Sequence, residues 1–273
     1  MSSSISVLTP ARNEQSKIKK SATSVLRQLR KSDELIVYDD ASTDGTLSIL
    51  ESIDDPRLRI IRGGKQVGTA MASNILLSEA TNEIIARLDA DDYCLPGRFE
   101  KQRKLLSHSE YDMIFGLAIQ KRGRLMIPQV PSPLGSEKAR LILPFVNPFV
   151  NSTLMTRKTT IDELGGCPEG YGGEDYSLFV RAAIAGKNLF RMSKYLVIRE
   201  VPTKNEPKEA RQRPWTEQLT RERTTLLRLI SEEGIYSGNE DLRMLGDEEI
   251  MHMIESKVSR QNWIRKIINE FLG

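Results

Sequence analysis

Short apolar runs and amphipathic stretches take turns along the first ninety residues. Ile5-Ser6-Val7-Leu8 has the length and composition of a buried strand, stopped by Pro10. Ile18, Ala22, Val25, Leu26 and Leu29 then recur at spacings of three and four, which sets them on one face of a helix. Leu35-Ile36-Val37-Tyr38 predicts a second strand. Ser42-Thr43-Asp44-Gly45 carries turn and cap chemistry and opens a helix with Leu47, Leu50 and Ile53 on its inner side. Residues 58–61 predict a third strand, Gly63-Gly64 a loop, residues 69–80 a third helix and residues 83–88 a fourth strand. Strand and helix in alternation imply a mainly parallel sheet with right-handed crossovers.

The second half is less regular. Pro96 suits the first turn of a helix running to about His108. Residues 112–120 and 124–127 can pair as a hairpin across Lys121-Arg122-Gly123, and residues 128–133 read as loop. Residues 152–156 predict a strand, 159–164 a short helix, 174–185 a helix burying Leu178, Phe179, Ala182 and Ala185, and 195–198 a last strand. Beyond Pro202 strand signals vanish. Residues 211–233 and 247–272 are helical by composition, with a Gly/Asn break at 234–239.

In parallel sheets ligands bind beyond the carboxyl ends of the strands. The stretches to inspect are therefore residues 10–14, 39–44 and 89–92, and two of the three are acidic. Asp89-Ala90-Asp91-Asp92 directly follows an apolar strand. Three carboxylates in four residues repel one another and are tolerated most easily around a cation. Hard oxygen donors suit Mg²⁺ or Mn²⁺, ions that bridge a few carboxylates to phosphate oxygens.

Composition narrows the classes. The 273 residues are 39% apolar and 28% charged, with a formal net charge of +3, as in a soluble globular protein. No concentrated basic stripe marks a nucleic-acid partner. Cys94 and Cys167 are too far apart for a metal-binding pair or a disulfide framework, which points to a reducing cytoplasm. The first residues lack the pattern of a secretory signal, and the longest apolar patch, residues 141–150, is broken by Pro144, Asn147 and Pro148. With only His108 and His252, a His-rich zinc site is excluded, so any chemistry rests on carboxylates.

Four motifs, in order, resemble family 2 glycosyltransferases of the GT-A fold: Val7-Leu8-Thr9-Pro10-Ala11-Arg12-Asn13-Glu14; Val37-Tyr38-Asp39-Asp40-Ala41-Ser42-Thr43-Asp44-Gly45-Thr46; Asp89-Ala90-Asp91-Asp92, preceded by Gly68 and Asn74; and Gly172-Gly173-Glu174-Asp175-Tyr176-Ser177-Leu178, followed by Arg181. The resemblance covers roughly residues 5–200. It implies a Rossmann-like mixed, mostly parallel sheet flanked by helices. Residues 1–110 would form the nucleotide-sugar half and 111–200 the acceptor half, with 201–273 a helical C-terminal extension. It also implies transfer of a sugar, with inversion, from a nucleotide-sugar, UDP-sugar above all, to a hydroxyl of a glycan or lipid-linked acceptor in surface glycan biosynthesis. Pro10, Ala11, Arg12, Glu14, Asp39, Asp40 and Asn74 would hold the nucleotide-sugar together with Asp89, Ala90 and Asp91. Asp92, Asp91 and Asp89 would bind Mn²⁺ or Mg²⁺. Asp175 would be the general base, with Glu174 beside it.

Plainer uses compete with each assignment. Ser42 or Thr43 can cap a helix, and Glu174-Asp175 can favour a helix N-terminus through its dipole. Gly63-Gly64-Lys65 lacks the P-loop spacing, which leaves Lys65 a weak donor-site candidate. Tyr171 and Trp215 can stack on a sugar ring or simply pack. The last helix sets Trp263, Ile264, Ile267, Ile268, Phe271 and Leu272 on one side and Lys257, Arg260, Arg265 and Lys266 on others. Such a face packs on its own domain or on a second copy as a homodimer. Its alternative use is peripheral contact with the inner face of a membrane. Two rival functions are a sugar-nucleotide nucleotidyltransferase, which would want a glycine-rich basic loop after the first strand, and a non-catalytic nucleotide-sugar-binding scaffold.

Overall fold

The computed structural model describes residues 3–108, 110–168, 173–201 and 217–232. Tyr171, Gly172, Trp215 and the helix expected at 247–272 lie outside the described residues, as does the start of the one expected at 211.

The first half follows the alternation: β1 (Ile5–Ala11), α1 (Ile18–Leu26), β2 (Glu34–Asp39), α2 (Thr46–Glu51), β3 (Leu58–Arg62), α3 (Thr69–Glu79) and β4 (Ile84–Arg87). These four strands are parallel, in the order β3-β2-β1-β4. Then come β5 (Tyr93–Cys94), α4 (Arg98–Ser107), β6 (Met113–Arg122), β7 (Leu125–Pro128), α5 (Ser136–Ile142), a 3-10 turn (Asn151–Thr153), β8 (Met155–Arg157), α6 (Lys158–Glu163), α7 (Glu174–Ile184), β9 (Leu189–Glu200) and α8 (Glu217–Glu232). The sheet continues β4-β8-β6-β9-β5, with β7 hydrogen-bonded to β6. β8 and β5 run antiparallel to their neighbours, so the sheet is mixed but mostly parallel.

Side chains alternate across the sheet and divide the core in two. Ile5, Val7, Leu35 and Val37 pack with α1, α2 and α4, whereas Leu8, Ile36 and Tyr38 face the opposite core, built with α3, α5, α7 and α8. Burying both faces explains why these strands read as unbroken apolar runs.

Several boundaries moved for local reasons. β1 passes through Pro10 instead of stopping there. The Leu8 carbonyl points toward β4, where it accepts from Leu88 N, and Pro10 points the same way two residues on. β4 has ended by then, so the missing proline N–H breaks no ladder bond. α4 begins at Arg98, after Gly97 at φ +75°, and not at Pro96. The strand expected at 152–156 starts only at Met155, because Thr153 Oγ1 donates to the Val150 carbonyl and folds a tight turn ahead of it. β9 is three times its expected length. Arg191, Ser193, Lys194 and Arg199 dilute its apolar signal, and pairing with β6 sustains it. α5 had no sequence expectation; its short span buries only Ala139 and Ile142.

Buried cations weld the second half to the first. Arg98, fully buried, donates to the carbonyls of Arg87 and Leu154, and Arg103 forms a two-pronged pair with Asp33. α8 docks through Leu219, Leu226, Leu227 and Ile230, while its buried Arg223 donates to the Pro144 carbonyl.

Candidate active site

β1 connects outward to β2 on one side, while β4 lies on its other side, so the order reverses between β1 and β4. A crevice opens at the carboxyl ends of strands at such a point. The loops after β1, β2 and β4 meet there. Asp40 is buried, and both its carboxylate oxygens are occupied: Val67 N donates at 2.7 Å and Gly68 N at 2.9 Å. Gly68 sits at φ +85°, a conformation that lets the chain turn into α3 while giving up its amide. Gly63 approaches so closely that a Cβ would meet the Asp39 carbonyl at 2.8 Å. Arg12 donates to the Asp40 carbonyl at 3.2 Å, and Ser42 N donates to Asp39 Oδ2. Asn13 and Gln15 exchange further bonds with residues 42–45. The two loops therefore form one rigid wall. Lys65 is exposed in the loop it borders.

The three acidic residues after β4 are not equivalent. Asp92 is turned inward, accepting from Ser152 Oγ and from Glu200 N at 3.1 Å. Burial, then the charges of Asp89 and Asp91, push its carboxyl well above the ordinary range. Asp89 and Asp91 each keep about a third of their side chains (34%) open to solvent. Asp91 lies 3.9 Å from Lys17 and is also raised, by burial and then by Asp89. Glu14, raised chiefly by burial, feels the Asp91 charge. Asp89 is approached by Asn151 Nδ2 at 3.4 Å and by Arg87 at 3.5 Å.

α7 brings the fourth motif to the same crevice. Its N-terminus follows Gly173, held at φ +99°. Glu174 and Asp175 line a cavity of about 30 Å³ together with Arg87, Asn151 and Cys167. That volume holds about one water. Burial first, and the Glu174 charge second, lift the Asp175 carboxyl to about 6, with Asp89 adding to the rise. Successive helix positions diverge by about 100°, yet their charges couple across this confined space. Asn74 uses its side-chain amide on the backbone of Cys167, donating to its carbonyl and accepting from its N–H. It thereby ties α3 to the loop entering α7.

Sequence reasoning missed Ser152, Asn151, Glu200 and Arg199. Arg199 is exposed at the end of β9, and its charge partly opposes the rise of Asp91, Asp92 and Asp175. Nothing in the sequence marks these four, since each reaches the crevice only through the sheet order.

The described residues contain no cluster of three carboxylate, thiol or imidazole groups arranged as a ready metal cage. The donor set still fits Mg²⁺ or Mn²⁺. Such ions take one or two carboxylates and complete their shell with phosphate and water, and Asp89 and Asp91 are hard, partly open carboxylates at the crevice mouth.

These features define an α/β fold with an acidic crevice at its switch point. Residues 6–158 match the model for Glycosyl transferase family 2, and the chain belongs to that family. EpsE of Bacillus subtilis (strain 168), named as a glycosyltransferase, is 34% identical over 175 residues, 59% of either chain. WfgD of Escherichia coli, named as a UDP-Glc:alpha-D-GlcNAc-diphosphoundecaprenol beta-1,3-glucosyltransferase, is 30% identical over 41% of this chain and 44% of its own. The match thus spans about half of these relatives' length. Among solved structures, TarS residues 1–349 from S. aureus, in complex with UDP-GlcNAc, superposes with a TM-score of 0.64 at 21% identity, covering 88% of this chain and 68% of that one. The fold is the GT-A type with a helical C-terminal portion.

Proposed function

We propose that the protein transfers a sugar from a UDP-sugar to a hydroxyl of a lipid-linked glycan acceptor during surface polysaccharide synthesis, with inversion at the anomeric carbon. The observation that carries this reading is the convergence of the Asp40–Arg12 wall, Asp89 and Asp91, and the raised Asp175 carboxyl on one rim of the sheet. Residues 1–110 serve the donor and residues 111–200 the acceptor. The wall of Pro10, Ala11, Arg12, Asp39 and Asp40 receives the nucleotide base, with Asp40 acting also through the 67–68 backbone it holds. Asp89 and Asp91 hold the cation, which when bound neutralises charge developing on the diphosphate. Asp92 fixes the 89–92 loop from behind. Asp175 accepts the acceptor hydroxyl proton as its oxygen bonds to the anomeric carbon, while the bond to the nucleoside diphosphate breaks and its electron pair leaves with the phosphate. A carboxyl near 6 is ionised at neutral pH yet basic enough to take that proton. The names of the relatives support a diphospholipid acceptor.

Calorimetric titration with UDP, with Mn²⁺ or with EDTA, tests the assignment. Asp91→Asn should lose the Mn²⁺-dependent part of binding. Asp175→Asn should bind as the parent does and fail to transfer. Equal UDP affinity in EDTA, or transfer by Asp175→Asn, would overturn it.

A further inference from the structure

Five large apolar side chains are exposed among the described residues, and four of them fall in one stretch: Leu125 (58% exposed), Met126, Ile127 and Val130 (80%). They belong to β7 and the segment after it. β7 bonds only to β6 among the described strands, and residues 122–128 are all exposed. The same stretch is strongly basic. From Asp112 to Glu137 no acidic residue intervenes, while Lys121, Arg122 and Arg124 crowd the turn.

The hairpin also stands at a telling place. β6 runs in the same direction as β4, through the antiparallel β8 between them, so its turn projects from the crevice end of the sheet. Lys121 pairs with Glu200 at 2.5 Å, and Glu200 N donates to Asp92 at 3.1 Å. The turn, Gly123 and Arg124, begins two residues beyond Lys121, about 7 Å of strand.

We propose that the β6–β7 hairpin docks the protein on an anionic lipid bilayer, with Leu125, Met126, Ile127 and Val130 in the interface and Arg122 and Arg124 on headgroup phosphates. Apolar side chains flanked by cations suit that boundary, where neither the acyl region nor water alone would satisfy both. Charge argues against two other occupants. A second copy docked hairpin to hairpin would present the same cations, with no carboxylate from residue 113 to 136 to pair them. The chain's own amphipathic segment with Lys257, Arg260, Arg265 and Lys266 is basic as well. Docking rests on the hairpin alone. Its consequence, a crevice held at the bilayer surface, rests on the lipid-linked acceptor reading above.

Vesicle flotation of the full chain without nucleotide or acceptor tests it, comparing phosphatidylcholine alone with phosphatidylcholine mixed with phosphatidylglycerol at low salt. The parent should float with the anionic vesicles and not with the neutral ones. Arg122→Gln with Arg124→Gln should lower partitioning about 30-fold, since each basic residue near the surface contributes about fivefold. Leu125→Asp with Val130→Asp should abolish it. Both pairs alter exposed positions, so their melting temperatures should stay at the parent's, which checks folding. Equal flotation on neutral vesicles, undiminished flotation of either variant, or a solution dimer that Leu125→Asp with Val130→Asp dissociates in place of vesicle binding would each overturn the proposal. A failed UDP titration leaves this result standing, and failed flotation leaves the donor site standing.

Discussion

Asp175→Asn separates the catalytic use of a carboxyl from the cost of keeping it in a crevice. In the folded protein the group is lifted from its ordinary 3.8 to about 6. That difference disfavours the ionised form by about 3 kcal/mol relative to the unfolded chain. Because the folded pKa lies above the unfolded one, the native state holds its proton longer. Stability therefore falls as pH rises from about 4 to about 6 and stays reduced above that. Asparagine keeps the shape and removes the charge. At pH 8 and in EDTA, Asp175→Asn should be more stable than the parent by up to about 3 kcal/mol. For a chain of this length that is an increase of about 5 °C in melting temperature. Below pH 4 the two melting curves should coincide. Thermal melts at both pH values decide the matter. No gain at pH 8, or an equal gain at both pH values, would refute the claim that confinement and the Glu174 charge raise this carboxyl. The same value sets the kinetic expectation: kcat/KM of the parent should rise through an acid limb near pH 6 as the base loses its proton.

Asp40→Ala should release the Val67 and Gly68 amides, costing about 2 kcal/mol in urea unfolding and weakening UDP binding; unchanged affinity would remove Asp40 from the donor wall. Arg98→Met should cost about 3 kcal/mol or more, because the Arg87 and Leu154 carbonyls lose their buried donor. A loss below about 1 kcal/mol would show that water replaces the guanidinium.

Everything governed by neighbouring residues could be read along the chain. The alternating runs of the first half and the 174–185 helix depend on local periodicity, and they form where expected, although neither Ser42 nor Thr43 caps α2, which starts after Gly45 with no side-chain cap. The C-terminal-end rule then singled out residues 10–14, 39–44 and 89–92 as one rim. Long-range pairing decided the rest. β9 holds together only because β6 lies beside it, and β8 inserts antiparallel between β4 and β6. That order carries Ser152, Asn151, Glu200 and Arg199 to the acidic loop from sixty to more than a hundred residues away. It also divides the three aspartates of residues 89–92 into two kinds. Asp92 meets Ser152 and the Glu200 amide and turns inward, whereas Asp89 and Asp91 remain open. Side-chain identity is local, but burial and field are not. Which carboxylate turns inward and which stays open is settled by what the sheet brings against it.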